Sequence, residues 1–197
     1  MLVQAAMALW RTNGYAKTTV AEICRGAGVS KALFYFYFPR KEDVLFEVGV
    51  MSTRAAQRTI ADLLAAGTDY DVIEVVAAAL GAMEQSMTRN PRELVIETIL
   101  EGYRHEHRLL DGPSDDRPGP DQAVPDLDGG MFTELFERAR ADGKLPSSVD
   151  VNHLAYLAMT MVSEGARHWA AGSFGHRSFA DVVSADIGTL IAGTRTN

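Results

Sequence analysis

Apolar residues recur along the chain at the three- and four-residue spacing of helices, and no convincing run alternates as a strand would. Leu2, Ala6 and Leu9 share one face of a first helix that is predicted to end near Asn13 and Gly14. Further helices, mostly amphipathic, are predicted over residues 40–66, 69–90, 91–110, 129–142, 150–172 and 178–192. The pattern therefore predicts an all-α fold.

Two short helices are predicted between the first helix and residue 40. Thr19 can cap the first of them, and Glu22, three residues later, completes a capping box. Gly28 ends that helix, and Ser30 can cap the next one. The second short helix must end before Pro39, because a residue that precedes proline is driven out of helical geometry. Two short helices joined by a tight glycine turn indicate a helix-turn-helix motif.

Residues 34–38 are five consecutive aromatics, out of sixteen in the chain. On a helical wheel one side holds Lys31, Ala32, Tyr35 and Phe36, and the other holds Leu33, Phe34 and Tyr37. We expect the second side to dock on the preceding helices and the first to face the major groove of DNA, which is about 12 Å wide. Phe34 and Phe38 are predicted to be core and Tyr35 to contact DNA, since its hydroxyl would otherwise need a buried partner. Core packing and DNA contact both stay open for Leu33 and Phe36.

Charge and composition narrow the class of protein. The net charge is −7, yet residues 1–50 hold six Lys and Arg against four Asp and Glu. Such asymmetry favours an N-terminal part that meets a polyanion. Cys24 is the single cysteine, so an internal disulfide is excluded and a cytoplasmic location is expected. No run of eighteen apolar residues predicts a membrane span, and we expect no membrane partner.

Sequence motifs typical of enzymes and of cofactor sites are not found. The chain has no G-x-S-x-G, no H-E-x-x-H and no P-loop pattern, so an enzyme is not expected and no cofactor is implied. His105 and His107 stand two residues apart, and on a helix their side chains point about 200° apart. No metal site is therefore predicted.

Residues 111–130 interrupt the helical pattern. This stretch carries four of the seven prolines and six aspartates. Because such a composition supplies no packed core, it predicts a mobile loop.

The segment GYAKTTVAEICRGAGVSKALFYFYFPRKEDVL, Gly14 to Leu45, closely resembles the DNA-binding segment of the TetR family of bacterial transcriptional regulators. The resemblance implies an N-terminal three-helix DNA-binding domain over residues 1–45. It implies a C-terminal helical domain over residues 46–197 for ligand binding and dimerisation. Ala32, Leu33 and Tyr37 depart from the residues that are common at those positions of the family.

The resemblance also implies a set of operator contacts. They are Thr19, Lys31, Ala32, Leu33, Tyr35, Phe36, Tyr37 and Lys41. The Leu33 side chain has no polar group for reading a base edge, whereas the Tyr37 hydroxyl can still reach a phosphate.

Residues 69–172 are expected to enclose an effector pocket, since helices that are apolar nearly all round can hide a cavity. Methionine-rich walls suit an adaptable apolar site. The candidate lining is Met83, Met87, Leu100, Tyr103, Phe132, Phe136, Met159, Met161, Val162 and Trp169. A close-packed core position remains the alternative for each. Glu164 can orient a polar ligand group or pair with Arg167 or His168.

These expectations together describe a homodimeric repressor that binds an inverted-repeat operator in double-stranded DNA. Apolar residues of the last two helices, among them Leu154, Val183 and Ile187, predict a four-helix interface between two copies. A small, largely apolar effector is expected to release the DNA. A DNA-binding regulator without an effector, or an activator, is the alternative.

Overall fold

The computed structural model describes residues 1–111 and 130–194, and this part of the chain is helical without a strand. The helices are α1 Leu2–Asn13, α2 Val20–Ala27, α3 Lys31–Tyr37, α4 Asp43–Ala65, α5 Val72–Thr88, α6 Arg92–Asp111, α7 Gly130–Ala141, α8 Val151–Ala170 and α9 Phe179–Gly193. The all-α prediction is confirmed. The predicted loop falls almost wholly on residues 112–129, which lie outside the described residues.

Local capping positions the two short helices. Thr19 and Glu22 form the predicted capping box at the start of α2. Gly28 ends α2 at φ 67°, a left-handed conformation that favours glycine. The Ser30 hydroxyl then accepts a hydrogen bond from the backbone N–H of Leu33 at 3.1 Å and starts α3. The turn between α2 and α3 is thus determined by side chains within a few residues of it.

A first hydrophobic core holds α1, α2 and α3 together. Trp10, Ile23, Phe34 and Leu45 are buried at its centre. Leu94 of α6 is buried in the same cluster. α4 runs without a break across residue 45, where the sequence predicted the domain boundary. The N-terminal core is therefore closed by residues from both α4 and α6.

A second and larger core joins α4 to α5, α7, α8 and α9. α8 and α9 approach closely at Gly165, where an added Cβ would lie 2.4 Å from Cγ2 of Val183. The Glu84 carboxylate of α5 accepts hydrogen bonds from the backbone N–H groups of Phe179 and Ala180, at 3.0 and 3.1 Å. These contacts fix the start of α9 against α5 and satisfy two backbone donors that a helix start leaves open.

The residues that predicted a dimer interface are mostly used within one chain. Leu154, Val183 and Ile187 are buried in the second core. Tyr156 of α8 is exposed, and Leu190 of α9 is half-buried. An amphipathic helix has one apolar stripe, and in α8 and α9 much of that stripe already packs on the other helices. Within the described residues, every helix is too short or too polar to cross a lipid bilayer.

Candidate functional site

The aromatic run divides sharply between burial and exposure. Phe34 is 0% exposed, whereas the exposed fractions of Tyr35 and Phe36 are 51% and 78%. Phe38 is half-buried, and its ring centroid lies 5.7 Å from that of Phe34. Phe34 and Phe38 therefore attach α3 to the N-terminal core, as predicted. Tyr35 and Phe36 face outward, which is the arrangement that a groove-reading surface requires.

The prediction that Leu33 and Tyr37 dock on the preceding helices is wrong. Their exposed fractions are 41% and 61%. α3 has only seven residues and packs chiefly on α2, so its buried stripe is one side chain wide. Phe34 alone fills that stripe. Leu33 and Tyr37 consequently join Lys31, Ala32, Tyr35 and Phe36 on the exposed surface of α3.

Lys41, the predicted phosphate contact before α4, is committed to contacts within the chain. Its ammonium donates to the backbone carbonyls of Tyr15 and Thr18, both at 3.1 Å. It also lies 4.2 Å from the centroid of the Tyr15 ring. A lysine ammonium has three donors, so one N–H remains for another partner. Lys41 fastens the start of α4 to the turn before α2.

Tyr15 and Thr19 have similar positioning roles. The Tyr15 hydroxyl donates to Oε1 of Glu42 at 3.2 Å. Burial, and then the charge of Glu42, raise the pKa of Tyr15 above its ordinary value. The Thr19 hydroxyl donates to Oε2 of Glu22 at 2.8 Å, and the hydrogen bond from the Thr19 backbone N–H is the main cause that lowers the pKa of Glu22. These bonds hold the frame from which α3 projects.

An internal cavity of about 150 Å³ lies among α4, α5, α6 and α8. Of the ten predicted lining residues, the structure brings five to its wall. They are Met83, Met87, Tyr103, Met159 and Val162. These residues come from three of the four helices and include three methionines.

The other predicted lining residues are not at the cavity wall. Leu100 is among the exposed apolar side chains. Phe132 and Phe136 of α7 are fully buried in the second core, with ring centroids 5.6 Å apart. Met161 packs against that core, and the Trp169 ring lies under the Arg92 guanidinium, 5.1 Å away. Phe132, Phe136, Met161 and Trp169 thus match the alternative of a packed core position, whereas Leu100 matches neither alternative.

The α4 wall of the cavity was missed by sequence reasoning. It is formed by Phe46, Val48, Gly49, Val50, Ser52, Thr53, Arg54 and Gln57. A signal was available in the small and polar residues at 49, 52 and 53, which interrupt the otherwise apolar face of α4. Ser52 is buried, and its hydroxyl lies 3.0 Å from that of Ser86 on α5.

An ion pair joins the segment after α3 to α6. Arg40 donates to Oε1 of Glu101 at 2.9 Å and also pairs with Asp43. The hydrogen bond with Asp43, more than that with Glu101, raises the pKa of Arg40 above its ordinary value. Glu101 is only 1% exposed, and the next two residues, Gly102 and Tyr103, line the cavity. The cavity wall is thereby linked to a residue two positions beyond the aromatic run.

Glu164 takes the second of its two predicted roles. It pairs with Arg167 and lies 3.1 Å from Nε2 of His168. The hydrogen bond from Arg167 is the main cause that lowers the pKa of Glu164. Glu164 does not line the cavity. His105 stacks on Phe46 with ring centroids 4.4 Å apart, and no cluster of metal-binding side chains occurs in residues 1–111 and 130–194.

Comparison with known proteins finds relatives that share parts of this sequence and its fold. Residues 2–48 match the family model "Bacterial regulatory proteins, tetR family". The HTH-type transcriptional regulator TtgR of Pseudomonas putida is 25% identical over 172 residues, which cover 85% of this chain and 78% of TtgR. The N-terminal segment is that of a TetR-family transcriptional regulator.

Other similar proteins share either the N-terminal segment or the whole fold with this chain. EthR of Mycolicibacterium smegmatis is 40% identical over 47 residues, which cover 24% of this chain and 22% of EthR. The structure of Thermus thermophilus FadR has a TM-score of 0.70 and 24% identity, and the match covers 97% of this chain and 91% of FadR.

Proposed function

We propose that the protein is a repressor that binds an inverted-repeat operator as a homodimer and leaves it when a small, largely apolar effector enters the cavity. One observation carries the proposal. α4 contributes Val44, Leu45 and Val48 to the N-terminal core and, in its next residues, forms a wall of the cavity. A single helix therefore contacts both the DNA-binding core and the space for a ligand.

The proposed DNA contacts use the exposed surface of α3. A short helix with an ammonium, a small methyl group and aromatic side chains can enter the major groove. We assign Lys31 and Tyr35 to phosphate or base edges, Ala32 to close backbone approach and Phe36 to a thymine methyl. Leu33 and Tyr37, both exposed, extend this surface, and Thr19 and the third donor of Lys41 border it.

Ligand-bound neighbours support the effector part of the proposal. Thermus thermophilus FadR is a transcriptional repressor whose structure holds lauroyl-CoA. FadR of Bacillus subtilis, with a TM-score of 0.64 and 18% identity, holds stearoyl-CoA. Their fold is shared with this chain, and the cavity provides a space for an apolar ligand at the junction of four helices.

The proposed switch uses two routes between the cavity and α3. The first is the continuous α4. The second is α6, which places Leu94 in the N-terminal core and Glu101 against Arg40. A ligand that prefers a different placement of α4 and α6 shifts the population toward a state in which the two recognition helices no longer match the operator.

A gel-shift assay with DNA from the region next to the gene tests the proposal. We expect binding to an inverted repeat that weakens steeply as salt rises, because phosphate contacts release counterions. Failure to shift any inverted repeat at low salt would refute it. A thermal-shift screen addresses the alternative, since a ligand of the folded state raises stability by mass action. If no compound in a broad panel stabilises the protein, a regulator without an effector is favoured.

A further inference from the structure

The charge distribution of the cavity wall restricts the ligand class. Arg54 is the one charged side chain that the described residues contribute to the lining. It is exposed, and it forms no ion pair with a carboxylate in residues 1–111 and 130–194. No acidic residue stands three or four positions away from it on α4, where Arg58 instead repeats the positive charge. The cavity therefore has an unneutralised cation at its edge.

Three further polar side chains of the lining are already engaged within the chain. The Thr53 and Thr98 hydroxyls donate to the backbone carbonyls of Gly49 and Leu94, at 3.3 and 2.8 Å. Oδ1 of Asn90 already accepts from Arg11, so the group that Asn90 keeps for a ligand is its NH₂ donor. Asn90 therefore keeps a donor, whereas the two threonine oxygens can only accept, so the preference for an anion rests on Arg54.

Another part of the lining is apolar. Met87, Met159 and Val162 are buried there, and none carries a group that needs a hydrogen bond. A space of about 150 Å³ holds on the order of ten water-sized groups, since one water needs at least about 10–15 Å³ of such space. A chain of roughly eight to ten carbons with one small head group has this size.

We propose that the cavity binds an amphipathic anion, a medium-length acyl chain whose carboxylate or other anionic head lies against the Arg54 guanidinium. The tail lies among the buried methionines, and the head stays at the exposed edge of the cavity. Guanidinium and carboxylate match as a charge-assisted, bidentate pair, and Arg54 has no competing acid nearby. This inference rests on the proposed function, because it names the effector class of that same cavity.

Calorimetric titration with decanoate, decanol and decylamine tests the charge requirement. We expect decanoate to bind more tightly than decanol, and decylamine to bind weakest. In Arg54→Gln the affinity for decanoate should fall about ten-fold or more while that for decanol stays unchanged. Arg58→Gln, which removes the neighbouring exposed cation outside the lining, is the matched control and should bind decanoate like the unmodified protein. Equal binding of decanoate and decylamine, or an Arg54→Gln variant with full affinity for decanoate and for decanoyl-CoA, would overturn the inference.

Further measurements identify the anionic group and control for misfolding of the variants. Decanoyl-CoA is titrated in parallel. If Arg54 is needed for binding of this thioester but not of decanoate, the anionic group that contacts Arg54 is a phosphate of the CoA part and not a free carboxylate. Arg54→Lys keeps the charge and should recover part of the affinity, which a misfolded variant would not. Met83→Trp, which fills the tail space from a half-buried position, should weaken decanoate and decanol alike. No loss of either in a folded Met83→Trp protein contradicts this placement of the tail.

The same preparation is used for the operator gel shift. If the ligand-free protein shifts an inverted repeat but neither acyl anion binds, the present inference fails while DNA binding stands. If decanoate binds with the expected dependence on Arg54 but no inverted repeat is shifted, the repressor proposal fails while the ligand class stands.

Discussion

Phe34 and Phe36 stand two residues apart on α3 and have opposite surroundings. Phe34 is fully buried between α3 and the N-terminal core, whereas 78% of the Phe36 side chain is exposed. An exposed large aromatic costs a lone domain little, yet next to Tyr35 and Tyr37 it forms an apolar surface that a partner can cover. Under the proposed function that partner is DNA.

This contrast gives a prediction for paired substitutions. Phe36→Ala should weaken operator binding but change the free energy of unfolding by no more than about 0.5 kcal/mol, because the ring packs on nothing that supports the fold. Phe34→Ala should lower the free energy of unfolding by about 3–5 kcal/mol through the cavity it leaves. Chemical denaturation and fluorescence anisotropy with labelled operator measure the two effects. A Phe36→Ala protein that binds the operator with unchanged affinity contradicts the assignment.

Lys41 is expected to matter for stability as well as for DNA. Its ammonium donates two hydrogen bonds to carbonyls before α2, and hydrogen bonds to charged groups contribute about 1.5–3 kcal/mol. Lys41→Ala should therefore lower the thermal midpoint, whereas Lys31→Ala, which removes an exposed cation from α3, should leave it nearly unchanged. Both should weaken operator binding. Equal thermal midpoints for the two variants would show that the Lys41 contacts do not support the fold.

At the scale of helices, the structure is held by contacts that differ greatly in sequence separation. The capping box of α2 joins residues three apart, and the Ser30 cap of α3 also joins residues three apart. The Arg40–Glu101 pair spans 61 positions, and the cap of α9 by Glu84 spans 95. Short-range contacts define where helices begin, and long-range ones define which helices touch.

Breaking the Arg40–Glu101 pair should affect both stability and regulation. Glu101→Gln removes the buried charge and should lower the free energy of unfolding by about 1–3 kcal/mol. It should also make operator release less sensitive to ligand, because α6 loses its ionic contact with the segment after α3. Glu93→Gln, an exposed acid in the first turn of the same helix, is the control and should change neither. Thermal melts and ligand titrations of the operator complex supply the readouts, and an unaltered ligand response in Glu101→Gln counts against this route.

The contact between α8 and α9 predicts a size limit at residue 165. Gly165→Ala places a Cβ 2.4 Å from Cγ2 of Val183, so the two helices must separate or distort. We expect a loss of about 1–3 kcal/mol in the free energy of unfolding. Val183→Ala in the same protein should recover part of that loss by removing the clashing methyl group. If the double variant is less stable than expected from adding the two single effects, the clash is not the cause.

The sequence was sufficient for helix positions and for the contrast between buried Phe34 and exposed Tyr35, but less so for the cavity. Caps and periodicity are local, which is why α2 and α3 were placed correctly. Met83 and Met87 stand four residues apart and both line the cavity, while Phe132 and Phe136 have the same spacing and fill the core. A spacing of four shows that two residues share a face, but not which helix that face meets. For the same reason the α4 wall with Arg54 was missed.

At the scale of the whole molecule, the proposed dimer sets the geometry of the operator. Two recognition helices related by a twofold axis contact half-sites about one helical turn of DNA apart, about 34–36 Å. Exposed Tyr156 on α8 and half-buried Leu190 on α9 are among the apolar side chains that these helices offer to a second copy. Sedimentation velocity on the ligand-free protein measures whether the dimer forms.

Half-site spacing should be as important as half-site sequence. Inserting about five base pairs between the half-sites turns one of them to the opposite side of the duplex and should abolish tight binding by the dimer. Swapping base pairs at the centre without changing its length is the control and should have a smaller effect. Gel shifts with the altered duplexes measure this. Undiminished affinity for the lengthened site would indicate that each copy binds independently.

Leu94 has a consequence for building hybrid regulators. This α6 residue is 3% exposed and completes the core around Trp10 and Phe34, almost fifty positions after the aligned family segment ends. A chimera that joins residues 1–48 to another receptor has a gap in the N-terminal core unless the host provides a side chain equivalent to Leu94. If the host has no such side chain, an exchange of operator specificity requires transfer of the beginning of α6 as well. Residues 1–48 are therefore not a self-contained module.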